Sequence, residues 1–352
     1  MIARREGTDS MHMADALISP AVGATMWAAT AATTVYCAKK VREEADASKV
    51  PLMGVAGAFI FASQMLNFTI PATGSSGHLG GGLILAILLG PEAAFLVMAS
   101  VLTVQALFFA DGGILALGAN IFNLGFFPVF IAYPLIYRVI VGASTSRRRL
   151  VTGSLLAAIV GLQLGALGVV LETVLSGVSA LPFATFALIM LPIHLGVGVV
   201  EGLVTAGVVL FVERVQPELL ARNSRRSPLG GLRLRPVLVG LAIAAVISGA
   251  GISWFASTNP DGLEWSIQQV TGSSQLRSTE VSVHSAAASL QKKTALLPGY
   301  GFKQPRSAGE TDVAPEWPSP DAGTSTAGVV GAGLVLALAG VVGFILNRRR
   351  RT

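Results

Sequence analysis

Long apolar segments separated by short polar ones dominate the chain from residue 16 onwards. A transmembrane helix needs about 20 mostly apolar residues. Segments close to that length are predicted at 16–38, 52–70, 91–110, 114–140, 150–178, 183–212, 236–256 and 326–346. The stretch 79–90, LGGGLILAILLG, is shorter, and its length alone leaves open whether it is a full short span or a re-entrant segment.

Basic residues fall in clusters between and after these segments. The clusters are Lys39, Lys40, Arg42 and Lys49; Arg147 to Arg149; Arg222, Arg225, Arg226, Arg233 and Arg235; and Arg348 to Arg351. Because basic residues flanking membrane helices favour the cytoplasmic side, the clusters predict a multi-pass cell-membrane protein with Met11 outside and a cytoplasmic C-terminus. The segment 79–90 must then cross, which gives nine crossings with loops near 71–78, 111–113, 179–182 and 257–325 outside.

Composition supports the membrane interpretation. The 352 residues are 52% hydrophobic and 12% charged, whereas soluble domains carry about 25% charged residues. The fold class predicted is therefore an all-α polytopic membrane protein, with a helical bundle of about seven spans and a two-span C-terminal unit. The net charge of +6 then reports topology rather than a nucleic-acid partner. The single cysteine, Cys37, excludes an intrachain disulfide.

Changes in composition divide the chain into units. Residues 1–10 are short and polar, and we interpret them as a leader or a misassigned start, with Met11 as the true first residue. The bundle is expected over 11–214, a cytoplasmic basic linker over 215–235, and the two-span unit over 236–352. Within that unit, 257–325 is rich in Ser, Thr, Gly and Pro and is expected to be a largely flexible external loop.

Two of the four histidines are expected on the same side of the membrane. His12 stands at the outer end of the first span, and His78 lies in the external stretch NFTIPATGSSGHLGGG. If Met11 is the first residue, its amine, the backbone nitrogen of His12 and the His12 imidazole lie close enough to chelate one cation, with His78 as a fourth nitrogen. Tetragonal nitrogen ligation favours Ni(II) and Cu(II), and Co(II) where the protein enforces the geometry. The alternative is two interfacial polar residues with no shared partner.

Three long stretches resemble a known family, the substrate-binding membrane component of cobalt/nickel energy-coupling-factor transporters (CbiM/NikM). They are MHMADALISPAVGATMWAA, the segment from IPATGSSGHLGGG to ANIFNLGF, and HLGVGVVEGLVTAGVV. The resemblance implies high-affinity uptake of Co(II) or Ni(II), with Met11, His12 and His78 as metal ligands. It also implies partners, namely a transmembrane coupling subunit and separate ATPase subunits.

Small residues on the first span, and a motif near the C-terminus, extend the resemblance. Ala24, Ala28 and Ala32 form one helix stripe, which in the family is thought to dock on the coupling subunit; ordinary packing within the chain is the alternative. The motif NPDGLEW at 259–265 resembles the small two-span accessory component of these transporters, here fused. Its acids Asp261 and Glu264 are expected to attract cations toward the site. The alternative is a turn made by Pro260, Asp261 and Gly262, which does not exclude that role.

The remaining polar residues in apolar surroundings are weaker candidates. His194 and Glu201 share a helix face and are expected to bond within the bundle. His284 lies in the loop 257–325 and is expected to be exposed. Asn120 and Asn123 are expected either to hold the glycine-rich loop as a second shell around the metal or to bond between helices.

Two other functions fit parts of the sequence. An intramembrane serine protease would use Ser75 or Ser76 with His78, and a passive divalent cation channel would need a ring of external acids or carbonyls. The chain contains no GxxxxGK[ST] motif for ATP phosphates. This chain is therefore not expected to cradle ATP phosphates. As a transporter component it is expected not to be an enzyme, with ATP hydrolysis carried out by separate subunits.

Overall fold

The structure is a computed structural model that describes residues 11–142, 146–179, 181–272, 282–302 and 317–348. Most of these residues are helical. The helices are α1 (Pro20–Glu44), α2 (Lys49–Gln64), α3 (Gly82–Leu89), α4 (Pro91–Phe108), α5 (Leu117–Val141), α6 (Arg147–Ser176), α7 (Phe183–Val215), α8 (Pro217–Ser224), α9 (Arg235–Ala250), α10 (Gly262–Thr271), α11 (Ser282–Thr294) and α12 (Ala322–Arg348). Short 3₁₀ turns lie at Asp15–Leu17, Ile252–Phe255 and Pro298–Tyr300.

A short β-hairpin interrupts the helices and corrects the prediction of an all-α chain. Strands β1 (Phe68–Ile70) and β2 (Ser75–Gly77) pair antiparallel, with Phe68 opposite Gly77. The second apolar segment was expected to run as a helix to residue 70, but α2 ends at Gln64. The aromatic and β-branched residues of β1 favour extended backbone, and Pro71 cannot continue a helix.

The helix ends follow from local sequence. Ser19 caps α1, its hydroxyl accepting from the amide of Val22, and Pro20 occupies the first turn. Between α3 and α4, Gly90 has φ of +83° and is followed by Pro91, a pairing that reverses the chain with a single connecting residue. In α5, the π-helical middle contains Pro128 and Pro134, neither of which has an amide hydrogen for a regular α-helical ladder.

The two ends of the bundle differ in chemistry. One, which we term the site end, contains Met11, His78 and Asp111. At the opposite, basic end, Lys49 lies 2.6 Å from the Glu44 carboxylate and Arg226 lies 3.6 Å from Glu92. The described members of the basic clusters lie at helix ends on this side: the end of α1, the start of α2, the start of α6, the α8–α9 region and the end of α12.

The short segment 79–90 passes from one end of the bundle to the other. Helix α3 is only about 12 Å long at 1.5 Å per residue, and the glycine-rich stretch before it covers the remaining depth. At the basic end, the side chain of Asn223 in α8 donates to the carbonyls of Ile87 and Leu88. The linker predicted at 215–235 therefore contains a helix that packs under α3.

Among the described residues, five helices are long and apolar enough to cross a membrane. They are α4, α5, α6, α7 and α12, and α9 is a shorter apolar helix. The chain is thus a mostly helical protein with several membrane-spanning candidates, while the total of nine crossings stays a prediction. Helix α1 has the length of a span, but its second half contains Lys39, Lys40 and Arg42.

The C-terminal helices pack directly against the N-terminal bundle. Helices α9 and α12 approach closely at Gly249 and Gly328, where a Cβ on Gly328 would lie only 2.6 Å from the carbonyl carbon of Gly249. One turn further along α12, Gly331 faces Phe61 of α2. Small residues at these crossings let the backbones come together as membrane helices commonly do.

The segment 257–325 is more ordered than its composition suggested, in the parts that are described. Helices α10 and α11 and the turn Pro298–Tyr300 lie across the site end. The amides of Leu296 and Leu297 donate to the carbonyl of Phe108, and that of Gly299 donates to Phe109. These carbonyls are at the C-terminus of α4, where a helix has no internal partners for them. Because these are backbone hydrogen bonds, they do not require a periodic pattern of apolar residues, and the sequence therefore did not predict this order.

Candidate metal site

The N-terminal segment 11–18 runs across the site end and is held mainly through its backbone. The amide of Met13 donates to the side-chain oxygen of Asn120, and the Asn120 amide group donates back to the Met13 carbonyl, at 3.2 and 3.1 Å. The amide of Gly113 donates to the same carbonyl. Met13 and Ile18 are buried. These contacts fix the position of the two residues before Met13.

Asp111, between α4 and α5, gathers three nitrogen atoms of this segment. The backbone nitrogens of Met11 and His12 lie 2.8 and 3.2 Å from its Oδ1, and Nδ1 of His12 lies 3.0 Å from its Oδ2. The hydroxyl of Tyr300, from the C-terminal unit, donates to Oδ2 at 2.6 Å. The three nitrogens that the sequence suggested as a chelating set therefore converge on one carboxylate.

Electrostatics keep this carboxylate ionised. Burial by itself raises the pKa of Asp111, but the charge and hydrogen bond of His12 and the hydroxyl of Tyr300 lower that pKa to about 2. Asp111 is 3% exposed. A buried, ionised carboxylate at the centre of the site is a negative charge that a cation beside it would offset.

His78 follows β2 and faces the N-terminal segment. Its Nε2 lies 3.0 Å from the carbonyl oxygen of Met11 and its Nδ1 lies 3.1 Å from that of Leu79, and its ring centroid is 5.0 Å from that of His12. Burial lowers the pKa of His78, and the neighbouring His12 lowers it further. A neutral imidazole has one N–H and one lone pair, so one of the two nitrogens presents a lone pair to the site.

The glycine-rich loop, residues 71–81, is anchored below His78 by a buried carboxylate. The amides of Gly80 and Gly81 donate to the two oxygens of Glu201 in α7, at 2.6 and 3.1 Å. The side chain of Gln64 donates to the Gly80 carbonyl at 2.9 Å. Gly81 has φ of +80°, and a Cβ there would lie 2.7 Å from Ile60. The glycines thus permit a backbone path that other residues would obstruct.

A cavity of about 80 Å³ lies between these elements. It is lined by Met11, His12, His78, Asn120, His194 and Asp261, among others. His194 contacts the carbonyl of Met190 one turn earlier through Nδ1, at 2.9 Å. The volume accommodates a metal ion with a few small ligands.

Among the residues that the structure describes, no group of three His, Cys, Asp or Glu side chains has the spacing of a metal cluster. Side chains alone therefore do not make a complete metal site here. The main-chain nitrogens of Met11 and His12 are further potential ligands that do not belong to any side chain. A metal in this cavity would need backbone nitrogen together with the two imidazoles.

The polar residues in apolar surroundings have partners within the chain. Asn120 bonds to the backbone of Met13, and Asn123 donates to Glu172 of the neighbouring helix at 2.8 Å. A supporting role around the metal for either asparagine stays a prediction. The expected exposure of His284 is wrong, since it is buried and its Nε2 lies 3.1 Å from the carbonyl of Ile18. The reason is α11, which packs over the N-terminal segment.

Sequence reasoning gave Asp111 and Tyr300 no part in the metal site. Asp111 lies in FFADGG, a lone acid between two apolar segments, and such an acid was a usable signal. Tyr300 lies in a segment that was interpreted as flexible. Asp261 was identified, and the structure places it in the wall of the same cavity as His12 and His78.

The serine protease alternative finds no supporting geometry. The hydroxyl of Ser75 pairs with that of Thr73 at 2.7 Å, and the hydroxyl of Ser76 donates to the carbonyl of Asn259 at 2.9 Å. Both nitrogens of His78 face carbonyl oxygens. Within the described part of the chain, no serine is hydrogen-bonded to His78, which a nucleophile and its base require.

The small-residue stripe of α1 faces outward. Ala24, Ala28 and Ala32 are exposed, while Gly23, Thr30 and Cys37 on the other side of the helix are buried. The hydroxyl of Thr30 donates to the carbonyl of Gly118 in α5. Packing within this chain therefore uses a different face from the alanine stripe.

Comparison with known sequences gives two adjoining matches. The family described as the cobalt uptake substrate-specific transmembrane region, CbiM, matches residues 12–219, and the PDGLE domain matches residues 235–348. The fused nickel transport protein NikMN of Rhodobacter capsulatus is 34% identical over 262 residues, 69% of this chain and 74% of that protein. A protein of Archaeoglobus fulgidus, with the provisional name fused nickel transport protein NikMN, is 32% identical over 351 residues, 97% of this chain and all of its own length.

Solved structures show the same likeness. This chain is similar to a transition metal transporter and to a truncated transition metal transporter, each with 34% sequence identity and with TM-scores of 0.51 and 0.52. The matches cover 61% and 58% of this chain and 99% of each of those chains. The apolar helices and the family matches thus indicate a multi-pass membrane protein of the transition-metal transport class. The chain belongs to the CbiM family and has a PDGLE domain fused at its C-terminal side.

Proposed function

We propose that this chain captures Co(II) or Ni(II) from outside the cell as the metal-binding component of an ATP-driven energy-coupling-factor transporter. The proposed ligands are the Met11 amine, His12 and His78. The observation that carries the proposal is the convergence at Asp111, where three nitrogens of Met11 and His12 lie within 3.2 Å of one carboxylate. The His78 ring is 5.0 Å from the His12 ring.

The ligand set explains the choice of metal class. Four nitrogen donors in a tetragonal arrangement suit Ni(II) and can hold Co(II), whereas Ca²⁺ and Mg²⁺ prefer oxygen. Binding replaces protons on the nitrogen atoms, so the bonds of Met11 and His12 to Asp111 give way to bonds to the metal. Asp111 then offsets the charge of the cation. His78 leaves the Met11 carbonyl to become the fourth donor.

The amine role requires Met11 to be the first residue of the functional chain. The match to the CbiM family begins at residue 12, directly after it. Residues 1–10 lie outside the described residues. A start at Met11 would turn the nitrogen that now donates to Asp111 into a free amine at the same position, which is a stronger metal ligand than an amide.

The direction of transport follows from charge. The basic clusters lie at the end of the bundle opposite to the site, and positive residues favour the cytoplasmic side. The site end is therefore proposed to face outward. Because the sequence has no P-loop motif, the driving force is assigned to ATPase subunits, coupled through a transmembrane subunit that docks on the exposed stripe of Ala24, Ala28 and Ala32.

Intact-protein mass spectrometry with metal analysis tests the site. We expect the purified chain to begin at Met11 and to hold a single Ni(II) or Co(II) ion. A chain that begins at Met1 and still binds the metal would overturn the amine ligand, and a chain that binds neither metal would overturn the whole proposal. Metal uptake that continues in cells lacking the ATPase subunits would favour the passive channel instead.

A further inference from the structure

The carboxylate of Asp261 is buried beside the candidate metal site, and only one of its two oxygens accepts a hydrogen bond from the described residues. Asp261 caps α10, its Oδ1 accepting from the amide of Glu264 at 2.8 Å. Its Oδ2 is buried and has no hydrogen-bond partner among the described residues. The residue is 6% exposed. Burying a carboxylate oxygen without a hydrogen-bond partner costs free energy. A ligand that binds this oxygen would offset that cost.

Asp261 lies between two cavities. The inner cavity, of about 80 Å³, contains His12 and His78. A second cavity of about 430 Å³, which we term the vestibule, lies on the other side. Met11 and Asp261 line both cavities. These two residues therefore form the boundary that the vestibule and the inner cavity share.

The vestibule is formed mainly by the C-terminal unit. Its walls include the 253–264 segment, Tyr300, Ser319 and Asp321, with Met11, Met65 and Asn67 contributed by the N-terminal bundle. The C-terminal unit thus surrounds the approach to a site whose proposed ligands belong to the other unit. Asp261 is the member of this unit that lines the inner cavity and has a carboxyl side chain.

The backbone around Asp261 is fixed to the loop of His78. The amide of Ser76 donates to the Pro260 carbonyl at 2.8 Å, and Ser76 and Asp261 form a parallel β-bridge. On the other face, a Cβ on Gly262 would be 3.3 Å from the His194 ring and 2.8 Å from Ile193. The backbone of Asp261 is therefore fixed beside Ser76, two residues before His78.

We propose that Asp261 is a transfer ligand, which takes a divalent cation from the vestibule through Oδ2 and passes it to the Met11, His12 and His78 site. The role rests on the proposed function and assigns the PDGLE unit a step within it. A single carboxylate oxygen binds Co(II) or Ni(II) more weakly than a set of nitrogen donors. The cation consequently moves on, and Asp261 affects the speed of loading rather than the final occupancy.

Asp261→Asn is the informative variant. Asparagine caps helices about as well as aspartate, so α10 keeps its N-cap while an NH2 group, which cannot bind a cation, takes the place of Oδ2. The full chain is purified, and uptake of Ni(II) alone is followed by stopped-flow displacement from a coloured chelator, together with the Ni(II) content at equilibrium. We expect the loading rate to fall about tenfold or more, on the scale of charged clefts that concentrate ions. The equilibrium content should stay unchanged.

Asp321→Asn is the matched control. Asp321 lines the vestibule too, and it also accepts from a backbone amide three residues on, that of Thr324, but it is exposed. An exposed charge is screened by salt, so this variant should load at the original rate. Asp261→Glu, which retains a carboxylate, should recover part of the rate lost in Asp261→Asn.

The possible results separate this role from the proposed function. An unchanged loading rate in Asp261→Asn, or an equal loss in Asp321→Asn, would overturn the transfer role while leaving the metal site intact. Loss of equilibrium binding in a folded Asp261→Asn protein would make Asp261 a permanent ligand and would also overturn it. If the unaltered chain takes up no Ni(II), the proposed function itself fails. Thermal unfolding of each variant checks that the fold is retained.

Discussion

The glycine-rich loop (71–81) and the PDGLE turn (259–264) meet at the same cavity but are anchored in different ways. The loop has its amides of Gly80 and Gly81 on the two oxygens of Glu201, so both partners are satisfied. The turn is attached through Ser76 and its own N-cap, and one oxygen of Asp261 has no partner among the described residues.

The difference in anchoring corresponds to two different proposed roles: the loop positions His78, and the turn passes a cation to the site. Glu201 uses its whole carboxylate on the protein, and its effect is to position His78, three residues from Gly81. Asp261 retains an oxygen that the protein does not use, which suits a ligand that changes partners. Metal sites depend on such positioning groups nearly as strongly as on the ligands themselves. Substitutions in the loop should therefore change affinity, and substitutions in the turn should change rate.

The largest effect is expected for His78→Ala. Removing one imidazole from a set of four nitrogens should weaken Ni(II) binding by at least about 100-fold, since even groups outside the ligand set cost 10- to 100-fold. Isothermal titration of the purified chain with Ni(II) measures the change. His12→Ala should behave alike. Binding within a few-fold of the original in both variants would contradict the ligand assignment.

His284→Ala is the matched control for the histidine variants. His284 is buried at the same end of the molecule and its Nε2 lies 3.1 Å from the Ile18 carbonyl, but it does not line the inner cavity as described. Its removal should leave Ni(II) affinity unchanged. A loss equal to that of His78→Ala would show that damage to the packing at this end, rather than a missing ligand, abolishes binding.

Glu201→Gln should have the next largest effect. The glutamine carbonyl oxygen can accept one hydrogen bond but its NH2 group cannot accept the other, so either Gly80 or Gly81 loses its partner, at a cost of about 1–3 kcal/mol in the free energy of unfolding. His78 then loses its fixed position, and Ni(II) affinity should fall about tenfold. Titration with Ni(II) and thermal unfolding measure both changes.

Glu172→Gln provides the comparison for that variant. Glu172 is also a buried carboxylate between helices, but its described side-chain bond is a single one, from Asn123. A glutamine carbonyl can accept that bond, so affinity should be retained. If the two variants lose the same affinity, removal of any buried charge suffices, and the special role of the loop anchor is wrong.

The sequence predicted the mostly helical membrane class and the family, because apolar length and family motifs are visible in consecutive residues. His12 and His78 stay predicted ligands, and the structure brings their rings within 5.0 Å of each other. The sequence missed the role of Asp111, which lies 99 residues from His12 and reaches it only through the packing of α4 and α5 against the N-terminal segment. It was wrong about His284 because α11 is held over the N-terminal segment by tertiary bonds such as that from Gln291 to the Gly112 carbonyl. Such bonds join residues that are far apart in the sequence, so the pattern of neighbouring residues does not predict them.

Gly262→Ala should have the smallest effect and should affect the turn alone. The added Cβ would lie 2.8 Å from Cγ2 of Ile193 and 3.3 Å from the His194 ring, and overpacking of this kind costs about 1–3 kcal/mol. Because Gly262 follows Asp261 directly, the strain shifts the carboxylate away from the cavity wall. Ni(II) loading should slow less than in Asp261→Asn, with equilibrium affinity retained.

Gly207→Ala is the control, since a Cβ there meets nothing within 4 Å, and it should leave the loading rate and the equilibrium affinity unchanged. If Gly262→Ala lowers the Ni(II) affinity without slowing Ni(II) loading, the turn affects affinity rather than rate, which contradicts the proposed roles of the loop and the turn.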